Sequence, residues 1–165
     1  MPPPATFIDP ALLQAFCETE YRVQGAAPFV MRVGQQCSEL VASPTRYGTD
    51  CSAFITACNP YSQPLDANDN AERQARLAGE LRVRNLPFEP GVGQHLSNKW
   101  PGEESFLVFG LGLEEAKALG AKVQQNALIW VGADGVPQLI LLRWRRLPDP
   151  RGVRGCPSFT KVGVT

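Results

Sequence analysis

The sequence predicts an α+β fold: a single domain with one mixed or antiparallel sheet, helices packed on it, and the order α-β-β-β-α-β-α-β-β. Three observations carry this expectation. Residues 66–85 and 113–124 place apolar side chains at helical spacing. Short apolar and β-branched runs lie before, between and after them. Asp134-Gly135 separates two of these runs as a hairpin turn signal.

Asp9 and Pro10 read as an N-cap and a first helical residue. They open a helix to about residue 20 whose Leu12, Leu13, Phe16 and Cys17 share one face. Residues 21–23 and 28–33 read as short strands. From 34 to 50 no period is visible, so a loop with one helical turn is expected. SAFITAC, 52–58, is small, apolar and β-branched enough for a buried strand.

The strongest helix is capped by Asp66 and runs to about residue 85, with Glu72–Arg76 and Glu80–Arg84 as favourable i,i+4 pairs. Ala67, Ala71, Gln74, Leu77, Ala78 and Leu81 form its inward stripe. Residues 86–100, rich in glycine and proline, read as a long surface loop. SFLVF is the core of the next strand, and EEAKALGAKV is a helix with its acids and its Lys122 placed as the dipole favours. Residues 126–132 and 137–143 are the hairpin strands. The chain thus divides into an N-terminal segment and helix (1–20), an α+β body (21–143) and a basic tail (144–165).

Composition narrows the function classes. With 44% hydrophobic and 19% charged residues, the chain has the profile of a soluble globular protein. Sixteen basic and sixteen acidic residues cancel, so no overall field steers it to nucleic acid or an anionic membrane. From Arg143 onward, however, six basic residues face one acid, Asp149. Arg143, Arg145 and Arg146 are therefore the residues that would meet a protein or nucleic acid if the chain is a non-catalytic interaction module. Five cysteines without C-x-x-C spacing, and a start (MPPPATFIDP) unlike a signal peptide, point to reduced thiols and a cytoplasmic location. No run reaches the about 18 apolar residues of a membrane span. A single histidine, His95, argues against a structural metal, and no cofactor is expected.

Three motifs fail on inspection. Asp66, Asn68 and Asn70 mimic positions of a calcium loop, but Ala71 and Leu77 stand where its glycine and bidentate glutamate are needed. A phosphate loop at the same helix start lacks glycines and a lysine, and Asp66 and Asp69 would repel the anion. Gly110-x-Gly112 imitates a dinucleotide fingerprint, but Glu115 occupies the third glycine position and Asp134 lies in a hairpin turn. A Cys58–His95 dyad is the nearest approach to nucleophilic catalysis, and a buried strand cysteine is more often inert packing.

Polar groups set among apolar neighbours remain. Asn59 and Ser62 follow a strand, and Asn70 shares the face of Gln74, Leu77 and Leu81. Glu103, Glu104 and Ser105 open another strand, and Gln124, Gln125 and Asn126 precede the next. Two readings stay open. Either the amides stitch the strand–helix junction, or Asn59, Ser62, Asn70 and Gln125 line a ligand pocket with Glu104 as base or cation contact. Trp100 covers the pocket mouth or anchors its loop.

Tyr21-Arg22, T-A-C-N-P at 56–60, Asn70, W-P-G-E-E-S-F at 100–106 and Q-N-A at 125–127 together resemble a family of small bacterial proteins catalogued as a domain of unknown function. The resemblance covers roughly residues 20–142. The family's segments read approximately Asn-Pro, Asn, Trp-x-Glu-x-Ser and Phe-Gly-Gln, so Glu103 competes with Glu104, and Gln124 with Gln125, for one position each. The resemblance implies that these segments belong together. The expectation is a protein that binds a small polar or nucleobase-like ligand in an amide- and carboxylate-lined pocket, as a hydrolase or transferase where Glu104 serves as base.

Overall fold

The computed structural model describes residues 7–41, 48–97 and 101–145. Its centre is a seven-stranded antiparallel sheet. In chain order the elements are β1 (Phe7–Ile8), α1 (Pro10–Glu18), β2 (Thr19–Val23), β3 (Phe29–Met31), α2 (Ser38–Val41) and β4 (Ser52–Ile55). A short 3-10 turn, Pro60–Ser62, leads to α3 (Ala67–Val83), β5 (Phe88–His95), β6 (Glu103–Phe109) and α4 (Leu113–Lys122). β7 (Ala127–Val131), β8 (Pro137–Leu141) and β9 (Trp144–Arg145) follow. The strands lie in the order β3-β2-β5-β6-β4-β7-β8, and β1 pairs with β9 in a separate parallel ribbon.

Strand alternation divides the core in two. Tyr21, Phe54, Leu107, Phe109, Ile129 and Leu139 point to one face, where Leu13, Phe16 and Cys17 of α1 and Leu40 of α2 cover them. Ala53, Ile55, Val108, Leu128 and Ile140 point to the other, under Leu77 and Leu81 of α3 and Ala116 and Leu119 of α4. The architecture is α+β, as the sequence predicts.

The local signals hold where they were strongest. Asp9 Oδ1 accepts from the Ala11 N–H at 2.7 Å, and Asp66 Oδ1 from the Asp69 N–H at 2.8 Å, so both helices have their expected caps. The Asp134-Gly135 turn closes β7 and β8, with Gly135 at φ 69°. Gln74, Leu77, Ala78 and Leu81 are the buried residues of α3, whereas Ala67 and Ala71 face solvent. The first helix stops at Glu18 rather than residue 20, because the Thr19 hydroxyl donates to the Ala15 carbonyl (2.7 Å) while its backbone turns extended.

The loop expected at 86–100 is also overturned. Residues 86–100 are not a surface loop, for Phe88–His95 is a strand between β2 and β6. Proline and glycine are tolerated there for specific reasons. The Pro90 carbonyl accepts from the Gln24 N–H (2.8 Å), so the missing Pro90 N–H lies on the same side, just past the end of β2 at Val23. Gly91 lies under the Phe54 ring, and a Cβ there would fall 2.6 Å from that ring and 2.7 Å from the Arg22 carbonyl oxygen. Gly91→Ala is therefore expected to destabilise the protein by about 2 kcal/mol through overpacking, read as a lower urea midpoint. An unchanged midpoint would show that Phe54 and β2 move aside freely.

Candidate functional site

Past Ile55 the chain leaves the ladder and enters a tight turn with unusual backbone. Asn59 (φ 47°), Tyr61 (φ 53°) and Ser62 (φ 60°) all occupy the left-handed region. Such conformations cost about 1 kcal/mol or more each outside glycine and persist only when surroundings impose them. Here the restraints are visible. The Asn59 N–H donates to Asn70 Oδ1 (2.8 Å), and Asn59 Oδ1 accepts from Asn70 Nδ2 (2.8 Å) and from the Leu65 N–H (3.0 Å). Asn59 Nδ2 donates to Glu103 Oε2 (2.9 Å). The Tyr61 N–H donates to the Gln124 carbonyl (2.7 Å), and the Ser62 Oγ accepts from Asn126 Nδ2 (3.0 Å). Arg143 donates to Asn126 Oδ1 (3.0 Å) and lies 4.5 Å over the Tyr61 ring.

Arg73 binds the same region from behind. Its Nε donates to the Ala57 carbonyl (2.6 Å), Nη2 to the Val123 carbonyl (2.8 Å) and Nη1 to Gln124 Oε1 (3.2 Å). Gln124 is itself left-handed (φ 61°) where α4 ends, and the Gln125 N–H closes that end onto the Gly120 carbonyl. Nothing in the sequence marks Arg73 beyond its place one residue before Gln74, and the sequence reading overlooked it.

In front of the turn, a cavity of about 170 Å³ lies between α1 and the sheet. Leu12 and Phe16 of α1, with Phe54, Ile129 and Leu139 of the sheet, give it apolar walls. Its polar lining comes from Thr19, Thr56, Ser62, Glu103, Ser105 and Gln125, with His95 at one side. Register brings these groups together: Gly93 pairs with Glu103 and with Tyr21, and Gly91 with Ser105, so all share one face.

The sequence-predicted site residues separate on this geometry. Ser62 and Gln125 line the cavity. Asn59 and Asn70 bond to each other beside it, and Asn59 reaches the cavity through Glu103. Glu104, opposite Val92 in the ladder, is exposed on the other face of the sheet, and Glu103 is the carboxylate that lines the cavity. The Gln125 amide donates to the Cys58 carbonyl (3.0 Å), while Gln124 serves Arg73. Trp100 and Arg146 lie outside the described residues. Arg143 is turned inward onto Tyr61, and Arg145 contributes its backbone to β9.

The Cys58 and His95 side chains have separate partners. The Cys58 thiol reaches the Glu104 carbonyl (3.6 Å), and burial pushes its pKa up, the opposite of what a nucleophile requires. His95 Nδ1 accepts from the Ser97 N–H (3.1 Å), which places the ring proton on Nε2, 3.0 Å from Glu18. The Glu18 carboxyl is held below its usual range, first by the Gln14 amide and then by His95. Among the described residues no group of three or more His, Cys, Asp and Glu side chains could hold a metal ion, and no helix is long and apolar enough to cross a membrane.

The family described as "Protein of unknown function (DUF3293)" matches residues 55–128, the stretch from the end of β4 to the second residue of β7. This is the kind of family that the joint motif pattern resembles, and the matched segment carries Asn59, Asn70, Arg73, Glu103 and Gln125. No curated protein and no solved structure matches the chain.

Proposed function

We propose that this protein binds a small organic molecule of about one ring in the cavity between α1 and the sheet. The observation that carries the reading is the cavity itself: about 170 Å³, walled by Phe16, Phe54, Ile129 and Leu139, with Glu103, Ser105 and Gln125 gathered in its lining. An apolar pocket with a few convergent polar groups is the usual form of a small-molecule site. A cavity of about 150 Å³ accommodates benzene, so a monocyclic, nucleobase-like compound fits the volume better than a two-ring one. Should the bound molecule undergo hydrolysis or transfer, the base role falls to Glu103, because Glu104 faces away from the cavity.

Gly93 provides the test. A Cβ at this position would meet Thr19 and Tyr21 at 3.8 and 3.9 Å, ordinary contact, and a longer side chain would enter the cavity. Gly93→Val is expected to keep or raise thermal stability, since valine suits a strand better than glycine. It should also abolish binding of single-ring fragments, followed by NMR shifts of the Gly93, Ser105 and Gln125 amides in the native protein. A fragment set of single-ring compounds that leaves those amides unmoved would overturn the reading.

A further inference from the structure

Ser62 and Gln125 reach the cavity from two stretches of chain that run side by side. The Tyr61 N–H donates to the Gln124 carbonyl (2.7 Å), and Asn126 Nδ2 donates to Ser62 Oγ (3.0 Å). The partners behind each side chain fix which hydrogen-bonding group it has left for a ligand. A guanidinium can only donate. Arg143 therefore holds Asn126 Oδ1 as an acceptor (3.0 Å), which makes Asn126 Nδ2 the donor to Ser62. The Ser62 oxygen is the acceptor in that bond, and among the described residues no acceptor takes its proton.

Gln125, only 8% exposed, is left with the opposite polarity. Its Nε2 donates to the carbonyls of Cys58 (3.0 Å) and Val123 (3.4 Å). Carbonyls only accept, so these two bonds fix the orientation of the amide. Among the described residues no donor bonds its Oε1. A buried amide oxygen in that state is unfavourable, and an N–H group entering the cavity relieves it.

The other hydroxyls of the lining have each committed their single proton to a carbonyl. Thr19 donates to Ala15 (2.7 Å), Tyr21 to Phe16 (2.6 Å), Thr56 to Glu104 (2.6 Å) and Ser105 to Glu103 (3.1 Å). Ser62 is thus the hydroxyl whose proton can serve a ligand. Among the described residues that line the cavity none is a lysine or an arginine, so an anion would meet no cationic side chain of that kind.

Resting on the cavity reading above, we propose that the ligand is an uncharged ring carrying both a hydrogen-bond acceptor and an N–H donor, as a cyclic amide does. Its acceptor takes the Ser62 proton, its N–H donates to Gln125 Oε1, and the ring packs among Phe16, Phe54 and Ile129. The Glu103 carboxylate, which Asn59 Nδ2 bonds at 2.9 Å, needs no part in this recognition. A ring with only one of the two groups leaves Ser62 or Gln125 unpaired, and a site built on hydrogen bonds discriminates against such a ligand more strongly than apolar contact can.

The test compares three single rings that are uncharged at neutral pH: α-pyridone with donor and acceptor, pyridine with the acceptor alone, and aniline with the donor. Binding to the full chain is followed at the Gly93, Ser105 and Gln125 amides by NMR. The pyridone is expected to bind about tenfold tighter than either of the others, as for one hydrogen bond to a group otherwise left unpaired. Ser62→Gly suits the backbone at φ 60° and removes the hydroxyl. It is expected to weaken pyridone and pyridine about tenfold and to leave aniline unchanged. Weakening of all three alike, or of none, would overturn the role of Ser62. Pyridine or aniline binding as tightly as pyridone would overturn the donor–acceptor assignment and leave the cavity reading standing. Failure of all three to move these amides would overturn both. Should Ser62→Gly not fold, the comparison on the native protein decides alone.

Discussion

Asn70→Leu is expected to lower the stability of the fold by about 3 kcal/mol, although the substitution keeps a branched side chain of the same length and increases hydrophobicity. Asn70 Oδ1 accepts the Asn59 N–H, and Asn70 Nδ2 donates to Asn59 Oδ1 and, more weakly, to the Leu65 carbonyl at 3.4 Å. Leucine removes all of these bonds at once. The cost concentrates at Asn59, whose left-handed backbone at φ 47° would lose the contact that fixes its N–H. A half-buried N–H left without a partner costs about 1–3 kcal/mol beyond the bonds themselves. The check is urea unfolding with an unchanged m-value, together with a double-mutant cycle against Asn59→Ala. A coupling of about 1–3 kcal/mol is expected for residues bonded this directly. A loss below about 1 kcal/mol would place the pair among ordinary surface hydrogen bonds.

The amide pair shows how far the sequence could be read. Asn59 and Asn70 stand out because each is polar beside an apolar run, and helical spacing alone puts Asn70 on the face of Leu77 and Leu81. That they bond each other rather than line a cavity depends on how the turn at 59–62 folds back on the start of α3. No local pattern encodes this. Elements with local signals were legible: the α3 cap at Asp66, the Asp134-Gly135 hairpin and the apolar core of β6. β5 was not, because Pro90, Gly91 and Gly93 weaken strand propensity and are acceptable only through long-range facts: where β2 ends, and which ring covers Gly91. β1 and β9 are two residues each and join distant parts of the chain, so neither has a periodicity to detect.

The same limit applied to the carboxylates. Glu103 and Glu104 are neighbours with opposite fates, and the choice is the parity of β6, set by its pairing with β5. A strand mistaken for a loop left that parity undetermined. The signal that could have settled it was Ser105, which shares two-residue spacing with Leu107 and Phe109 and therefore with Glu103. Thr19 and Thr56 gave no such signal, because each looks like an ordinary strand residue until its hydroxyl is seen bonded to a carbonyl.

Arg73→Met is expected to be the more damaging change, costing about 4 kcal/mol, although methionine retains most of the apolar stem. The guanidinium bonds the carbonyl oxygens of Ala57 and Val123 at 2.6 and 2.8 Å and Gln124 Oε1 at 3.2 Å. It therefore joins the strand exit on one side to the end of α4 on the other. Each charged bond contributes about 1.5–3 kcal/mol, and the cation also opposes the negative end of the α4 dipole. Both carbonyls adjoin residues that hold the cavity: Ala57 precedes Cys58, whose carbonyl receives the Gln125 amide, and Val123 accepts from that amide as well. Losing Arg73 should thus loosen Gln125 and the turn at Asn59 together. Arg73→Lys separates charge from geometry. A single ammonium cannot span two carbonyls and an amide oxygen as the planar fork does, so it should recover less than half of the loss. Urea unfolding of the two variants reads the stability terms, and amide exchange at Tyr61 and Gln125 reads the loosening. Full recovery by lysine would show that charge at the helix end, rather than the three-way clamp, is what holds the turn.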